Sequence, residues 1–294
     1  MEIAATAIDK ILTDLASQPD PRWKTLDLDK QRKQIQTELN SSAPKDGMMR
    51  VITRMQFQEA PDLGEIDWES ELATFEQIEY PQYYLQPFHS VLGGWLSEIA
   101  AVGNRVAMEA VLENAHPRKS LGVRDSIAQL FPEDARQILD LGAGNGDDAA
   151  AIARRLPSAT VTAWEASPLM IVVGRLYHKD LPNLRWQHGL VEKTQLPDNC
   201  VDALNMTYLL HECPDEIKQI ILAECWRILS PGGLLVVTDS LPGDLYSYRG
   251  FFEPYKEQWL KIDPDKLLRE AGFINIKAYQ FAYSTWTRVG EKPK

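Results

Sequence analysis

Over the first 131 positions the apolar residues recur at helical spacing. Ile3, Ala7, Ile8, Ile11, Leu12 and Leu15 share one face, and Pro19 follows the run. Similar patterns follow Asp27 and span residues 46–59, 67–79 and 89–114, where Val91, Leu92, Trp95, Leu96, Ile99 and Val102 mark the buried side of the last helix. A strand rhythm is almost absent, so this part is expected to be an α-helical cap. The segment YPQYYLQPFHS, residues 80–90, breaks the rhythm with two prolines and three tyrosines and reads as a loop or a shaped entrance to the next helix. Its rings either fill the junction between cap and core or, at Tyr83, Tyr84 and His89, face a ligand.

After Pro132 short β-branched or leucine-rich runs alternate with helical segments. Strands are expected at 137–141, 160–165, 184–187, 201–206 and 234–239, with helices at 147–156, 167–178 and 215–229 between them. Pro231, Gly232 and Gly233 predict a tight turn before the fifth strand. The tail predicts a helix at 264–271 and two strands, 273–281 and 284–289, whose connection is too short for anything but an antiparallel pair. The expected fold is α/β: a Rossmann-like, seven-stranded, mainly parallel sheet with an antiparallel last strand. The cap takes residues 1–131 and the sheet domain 132–294, with the boundary zone at 117–135.

Composition changes this picture little, with 44% hydrophobic and 25% charged residues in 294. Charge changes it more. A formal net charge of −11 and the lack of a basic run argue against a nucleic acid as substrate. The amino terminus lacks the basic start of a secretory signal, and no apolar stretch is long enough to span a membrane, so a cytoplasmic location is expected. Cys200, Cys213 and Cys225 lack the close doublets that bind zinc and read as free structural thiols, and no metal site is expected. Cys213, next to a His-Glu pair, is the one with a possible role as nucleophile or ligand.

The chemistry begins at QILDLGAGNGDD, residues 137–148. A strand ending in glycines and feeding a helix brings backbone N–H groups to the carboxyl edge of a sheet, where Gly142, Ala143, Gly144 and Gly146 would underlie a flat polar ligand. A dinucleotide-binding turn needs a third glycine at position 147, and Asp147 and Asp148 stand there instead. Two carboxylates at a helix amino terminus oppose a diphosphate and favour a cationic ligand. Asp140 could take the ammonium group of such a ligand, and Glu165, at the end of the next strand, both hydroxyls of a ribose.

LDLGAGNGD, the terminal acid of VTAWEAS, and LSPGGLLVVTDS resemble, in order and distance, the successive motifs of class I S-adenosylmethionine-dependent methyltransferases. The resemblance covers about residues 135–290 and implies S-adenosylmethionine as cofactor. Asp140, Gly142, Gly144 and Gly146 would hold its methionine part and Glu165, beside Ala166, its ribose. Where many members place an acid for the adenine amino group, this chain has Gly189 followed by Leu190, which implies apolar and backbone contacts, with Glu192 a weaker candidate. YYLQPFH, HECP and FFEPY bear a fainter likeness to methyltransferase-like proteins of cyanobacteria and plastids, which fixes no acceptor.

Methyl transfer is an in-line displacement at an activated carbon, so alignment and exclusion of water come first and a base helps only an acceptor that must lose a proton. The fourth strand ends in NMTYLLHECP, where Asn205 and Met206 would meet the cofactor. His211 is there either a base or a residue that orients without taking a proton, and Tyr208 is a second candidate catalytic group. A further wall, residues 241–260, is dense in rings: Tyr246, Phe252 and Tyr255 either line an acceptor pocket or pack on the cap. Arg249 either binds an acceptor carboxylate or is a solvated charge. The expected partner is a small-molecule acceptor.

Overall fold

The computed structural model describes residues 66–86, 88, 94–96, 100–105, 108, 122–241, 254–282 and 285–294. Seven strands form one sheet: β1 (Gln137–Leu141), β2 (Thr160–Glu165), β3 (Leu184–His188), β4 (Val201–Thr207), β5 (Leu229–Ser240), β6 (Ile274–Tyr279) and β7 (Thr285–Glu291). Their order is β3-β2-β1-β4-β5-β7-β6. The first five pair in parallel, and β7 is inserted antiparallel to both β5 and β6. Order reverses at β1, whose neighbours are β2 on one side and β4 on the other, and the carboxyl ends of these three strands are where such a sheet binds ligands.

Two helix starts at this edge have a local cause. Helix α3 (Asp147–Arg155) begins at Gly146, whose left-handed φ of 73° turns the chain out of β1. Helix α4 (Pro168–Tyr177) begins at Ser167, whose hydroxyl accepts from the Met170 N–H, with proline in the first turn. In β1 the side chains alternate. Ile138 joins Val123, Ile127, Phe131, Ile152 and Val161 under helices α2 (Val123–Ala128) and α3. Leu139 and Leu141 join Leu204, Ile221, Leu222 and Trp286 under α5 (Asp215–Ile228). Fully burying one such aliphatic side chain contributes about 1.5–3 kcal/mol, so this two-faced packing fixes the sheet and leaves its carboxyl edge to be shaped by polar residues.

Three expectations are corrected. The helix expected at 67–79 is only α1 (Trp68–Leu72). Beyond it the chain turns, so that Phe75 meets the His188 ring edge-on at 5.4 Å and lies under Arg175. Residues 94–96 form a 3-10 turn inside the expected 89–114 helix, whose described α-helical residues are 100–105 and 108. Gly94, at φ 57°, sits where an added Cβ would be 2.6 Å from the Gln86 carbonyl oxygen. Pro231, Gly232 and Gly233 lie inside β5, as an irregularity in its pairing with β4 between Val201 and Ala203. The remaining helices, α6 (Lys256–Trp259) and α7 (Pro264–Glu270), precede the antiparallel pair.

Candidate functional site

Gly142, Gly144 and Gly146 have φ values of 68°, 54° and 73°, a run of left-handed positions that side-chain-bearing residues rarely adopt. The turn is pinned from β2, since the Gly142 and Ala143 N–H groups donate to the Trp164 carbonyl at 2.9 and 3.1 Å. An added Cβ would be 3.0 Å from Leu209 at Gly142 and 3.2 Å from Asn104 at Gly144, so the turn is closely covered by the 3-10 turn after β4 and by the cap.

Asp140 and Asn205 are register neighbours on β1 and β4. Asp140 accepts from Asn205 Nδ2 at 2.8 Å and from the Ala149 N–H at 2.9 Å, so it caps α3 from inside. Burial, then the charge of Asp148, push its carboxyl up to about 8 against the pull of those two donors. Asp147 and Asp148, which oppose a diphosphate in the sequence, are met by two arginines of the cap region, Arg124 at 3.4 Å from each and Arg105 at 3.8 Å from Asp147, and by His178 at the end of α4, 3.1 Å from Asp147. Burial would raise Asp147, but the His178 contact and the two guanidinium groups hold it below its ordinary value.

Glu165, only 6% exposed, ends β2 and folds back on the turn. Its Oε2 accepts from the Gly144 N–H and its Oε1 from the Ser167 N–H, each at 2.8 Å, with the Tyr84 hydroxyl 3.4 Å from Oε1. A carboxylate has about four lone-pair sites, and of the protein contacts that engage them the Tyr84 one, at 3.4 Å, is longer than those from Gly144 and Ser167. Burial raises the Glu165 carboxyl above its ordinary range. Ala166 accepts from the Tyr80 hydroxyl at 2.8 Å and from His188 Nε2 at 2.9 Å, and the Gly189 N–H donates to the Glu165 carbonyl.

Tyr83 donates to Glu192 Oε1 at 2.9 Å, leaving Glu192 Oε2 buried without a partner among the described residues. Burial, then Cys213 and Glu192, raise the Tyr83 hydroxyl far above its ordinary value. Leu190 is half-buried, and Met206 is wholly within the core, so its side chain does not face the turn. Tyr255 is buried beside Phe88, which fits packing against the cap. His89, Tyr246, Arg249 and Phe252 lie outside the described residues. Burial raises the thiols of Cys213 and Cys225, both free, which disfavours the reactive thiolate.

At the end of β4 the chain takes an uncommon path, with Tyr208 at φ 55°. Its hydroxyl is buried without a partner among the described residues, and its ring meets His211 edge-on at 6.3 Å. His211 Nδ1 lies 2.7 Å from Asp239 Oδ1, and Asp239 Oδ2 accepts from the Leu210 and His211 N–H groups. Asp239 is a candidate site residue that sequence reasoning did not single out. Its one signal is position, next to last in the fifth strand, at the same sheet edge as Asp140 and Glu165. Tyr80 and Trp95 were missed likewise. The Trp95 indole donates to Glu212 at 2.7 Å, and its carbonyl accepts from the Ser167 hydroxyl.

Residues 138–233 match the methyltransferase domain family. A trans-aconitate 2-methyltransferase of Deinococcus radiodurans is 32% identical over 131 residues, which is 45% of this chain and 48% of that protein. A ubiquinone/menaquinone biosynthesis C-methyltransferase of Desulfotalea psychrophila is 34% identical over 116 residues, 40% of this chain and 46% of that one. The chain thus spans about half the length of these curated relatives. Among solved structures, the S-adenosylmethionine-dependent methyltransferase SibL in its apo form aligns with a TM-score of 0.52 at 18% identity, covering 84% of this chain and 74% of that one. An O-methyltransferase family protein from Burkholderia thailandensis aligns with a TM-score of 0.52 at 14% identity, over 67% and 60%. Those likenesses show the fold. Matched domain, strand order and glycine turn agree, so residues 138–233 carry a methyltransferase domain and the findings together support a class I S-adenosylmethionine-dependent methyltransferase.

Proposed function

We propose that the protein transfers a methyl group from S-adenosylmethionine to a small-molecule acceptor. One contact carries the reading: the Gly144 N–H on Glu165 Oε2 at 2.8 Å, which brings the β1 turn and the β2 acid together at one point. The residues present fit the cofactor. The glycine turn is a cradle that Cβ atoms would fill, and the buried Asn205 Oδ1, Tyr208 hydroxyl and Glu192 Oε2 lack partners among the described residues. The cofactor supplies an electrophilic methyl group on a positively charged sulfur.

In this reading Asp140, through Asn205 and the glycine turn with Ala143, holds the amino-acid end. Glu165 and Ala166 hold the ribose in place of the Tyr84 hydroxyl, and Gly189, Leu190 and Glu192 border the base. With 1–131 read as a cap region, Tyr83, Tyr84 and His89 of that region and Tyr246, Arg249, Phe252 and Tyr255 of the stretch after β5 are the candidate acceptor contacts. Two relatives that carry small-molecule names support a small acceptor. The charge of −11 supports a reading without nucleic acid. Among the described residues no helix is long and apolar enough to cross a membrane.

Calorimetry on the full chain tests the reading. S-adenosylmethionine and S-adenosylhomocysteine are expected to bind, and Glu165→Ala to weaken both. Binding of a nicotinamide dinucleotide in their place would overturn it.

A further inference from the structure

The end of β4 holds a buried pair that cofactor binding does not explain. A carboxylate can only accept, so the 2.7 Å contact with Asp239 Oδ1 places a proton on His211 Nδ1 and leaves Nε2 as the basic nitrogen of the neutral ring. Asp239, fully buried, is itself fixed by the Leu210 and His211 N–H groups of the 3-10 turn after β4. The ring is therefore held in one tautomer and one orientation. Glu212 Oε1 stands 3.7 Å from Nε2, so the imidazolium produced when Nε2 takes a proton lies between two carboxylates. The described titratable groups facing the ring are Asp239 from β5, Glu212 from the 3-10 turn and Tyr208 just after β4; Trp259 of α6 packs on it as well.

Tyr208 is an independent observation. Its left-handed backbone is costly for a ring-bearing residue, and its hydroxyl is buried beside His211 without a partner among the described residues. Burial, then Asp239, raise that hydroxyl, so it stays a donor across the neutral range. A proton acceptor and a hydroxyl donor side by side are the two groups that an ionising hydroxyl needs.

We propose that His211 is the general base for an acceptor with an acidic hydroxyl, a phenol or an enol, and that Asp239 is its positioning residue. The inference rests on the methyltransferase reading above. The acceptor O–H proton moves to His211 Nε2, the bond's electron pair stays on the oxygen, and the neutral ring becomes an imidazolium. The Tyr208 hydroxyl donates a hydrogen bond to the resulting oxyanion.

Two experiments on the full chain test this. Nitrogen-15 NMR of the ligand-free protein is expected to show His211 with a strongly deshielded proton on Nδ1, assigned by its loss in His211→Gln. In Asp239→Asn, whose amide can donate to Nδ1, the proton is expected to shift to Nε2. The second experiment measures methyl transfer to substituted phenols graded by acidity. Asp239→Asn and His211→Gln are expected to lower kcat by about 10²–10⁴-fold for phenols that are neutral at the assay pH, with KM little changed. For nitrophenols already ionised the loss is expected to fall to a few-fold.

Should Asp239→Asn fail to fold, His211→Gln, which leaves the backbone contacts of Asp239 in place, carries the test. A loss of the same size across the panel would make the pair structural and overturn the proposal. So would a His211 proton resting on Nε2 in the unaltered protein, or methyl transfer to amines and to none of the hydroxyls. Calorimetry separates the two failures: no S-adenosylmethionine binding sinks the methyltransferase reading itself, whereas intact binding with an indifferent His211 sinks only the base.

Discussion

Asp140 shows how one residue can carry two jobs that conflict. Its carboxyl caps α3 and holds Asn205, and for this it is buried to 2% exposure. Burial beside Asp148 raises it to about 8, so at neutral pH the ligand-free protein keeps a proton there. A cationic ligand nearby favours the charged form and pulls that value down. Binding of S-adenosylmethionine is therefore expected to release up to one proton, and affinity to fall as pH drops from 8 toward 6, by at most about tenfold per unit. Calorimetry in buffers of different ionisation enthalpy measures the release, and Asp140→Asn is expected to abolish it. Equal affinity at both ends of that range would show that Asp140 does not meet the positive end of the ligand. For folding the sign is the reverse of the usual acid case: the native state binds more protons than the unfolded chain between the ordinary aspartate value and about 8, so this group's contribution to stability declines as pH rises through that window.

At the scale of elements, the glycine turn is braced by a ring from a neighbouring strand. Trp186 of β3 lies against Gly146 and Gly174, and a Cβ built at Gly174 would be 2.1 Å from its ring and 2.8 Å from the Asn145 carbonyl oxygen. Gly174→Ala is expected to destabilise by about 1–3 kcal/mol, the range for overpacking a filled core, and to weaken cofactor binding because the strain falls on the turn. Chemical denaturation reads the first effect and calorimetry the second. Adding Trp186→Leu is expected to return part of both, and a double variant no better than the single would show that Asn145, not Trp186, is the obstacle.

The contact between Trp186 and Gly174 was not legible in the sequence, although the strand and helix that carry them were. Period-two runs and capping signals such as Ser167-Pro168 are local, and β1 and β2 fall where the pattern puts them. The α1 helix stops early because Phe75 finds a better place on His188 than in another turn, a partner 113 positions away in the chain that no local pattern records. Asp239 is of the same kind: its strand was legible, its partner His211 was not.

At the scale of the whole molecule, the described residues between 75 and 105 lie across the carboxyl edge of the sheet. Phe75 rests on the end of β3, Tyr80 and Tyr84 stack at 5.2 Å and bond to the end of β2, Trp95 bonds to the turn after β4, and Arg105 pairs with the start of α3. The sequence located this segment as a break in helical rhythm between Tyr80 and Ser90, but which strand ends it reaches is a matter of tertiary distance. In the proposed reading the ribose takes the place of the Tyr84 hydroxyl at Glu165, so this segment, a strap across the edge, must shift before the ribose is held. Binding should then follow a prior opening, and its observed rate should level off with rising S-adenosylmethionine instead of growing linearly. Stopped-flow tryptophan fluorescence, with Trp95 at the edge as reporter, measures that plateau. Tyr84→Phe removes the 3.4 Å bond to Glu165 and little of the ring stacking, so the plateau is expected to rise several-fold, in line with a weak neutral hydrogen bond, and the cofactor to bind somewhat tighter. A rate that stays linear in both proteins would mean that the ribose enters beside a strap that never moves, with Tyr84 a wall of the site and not its gate.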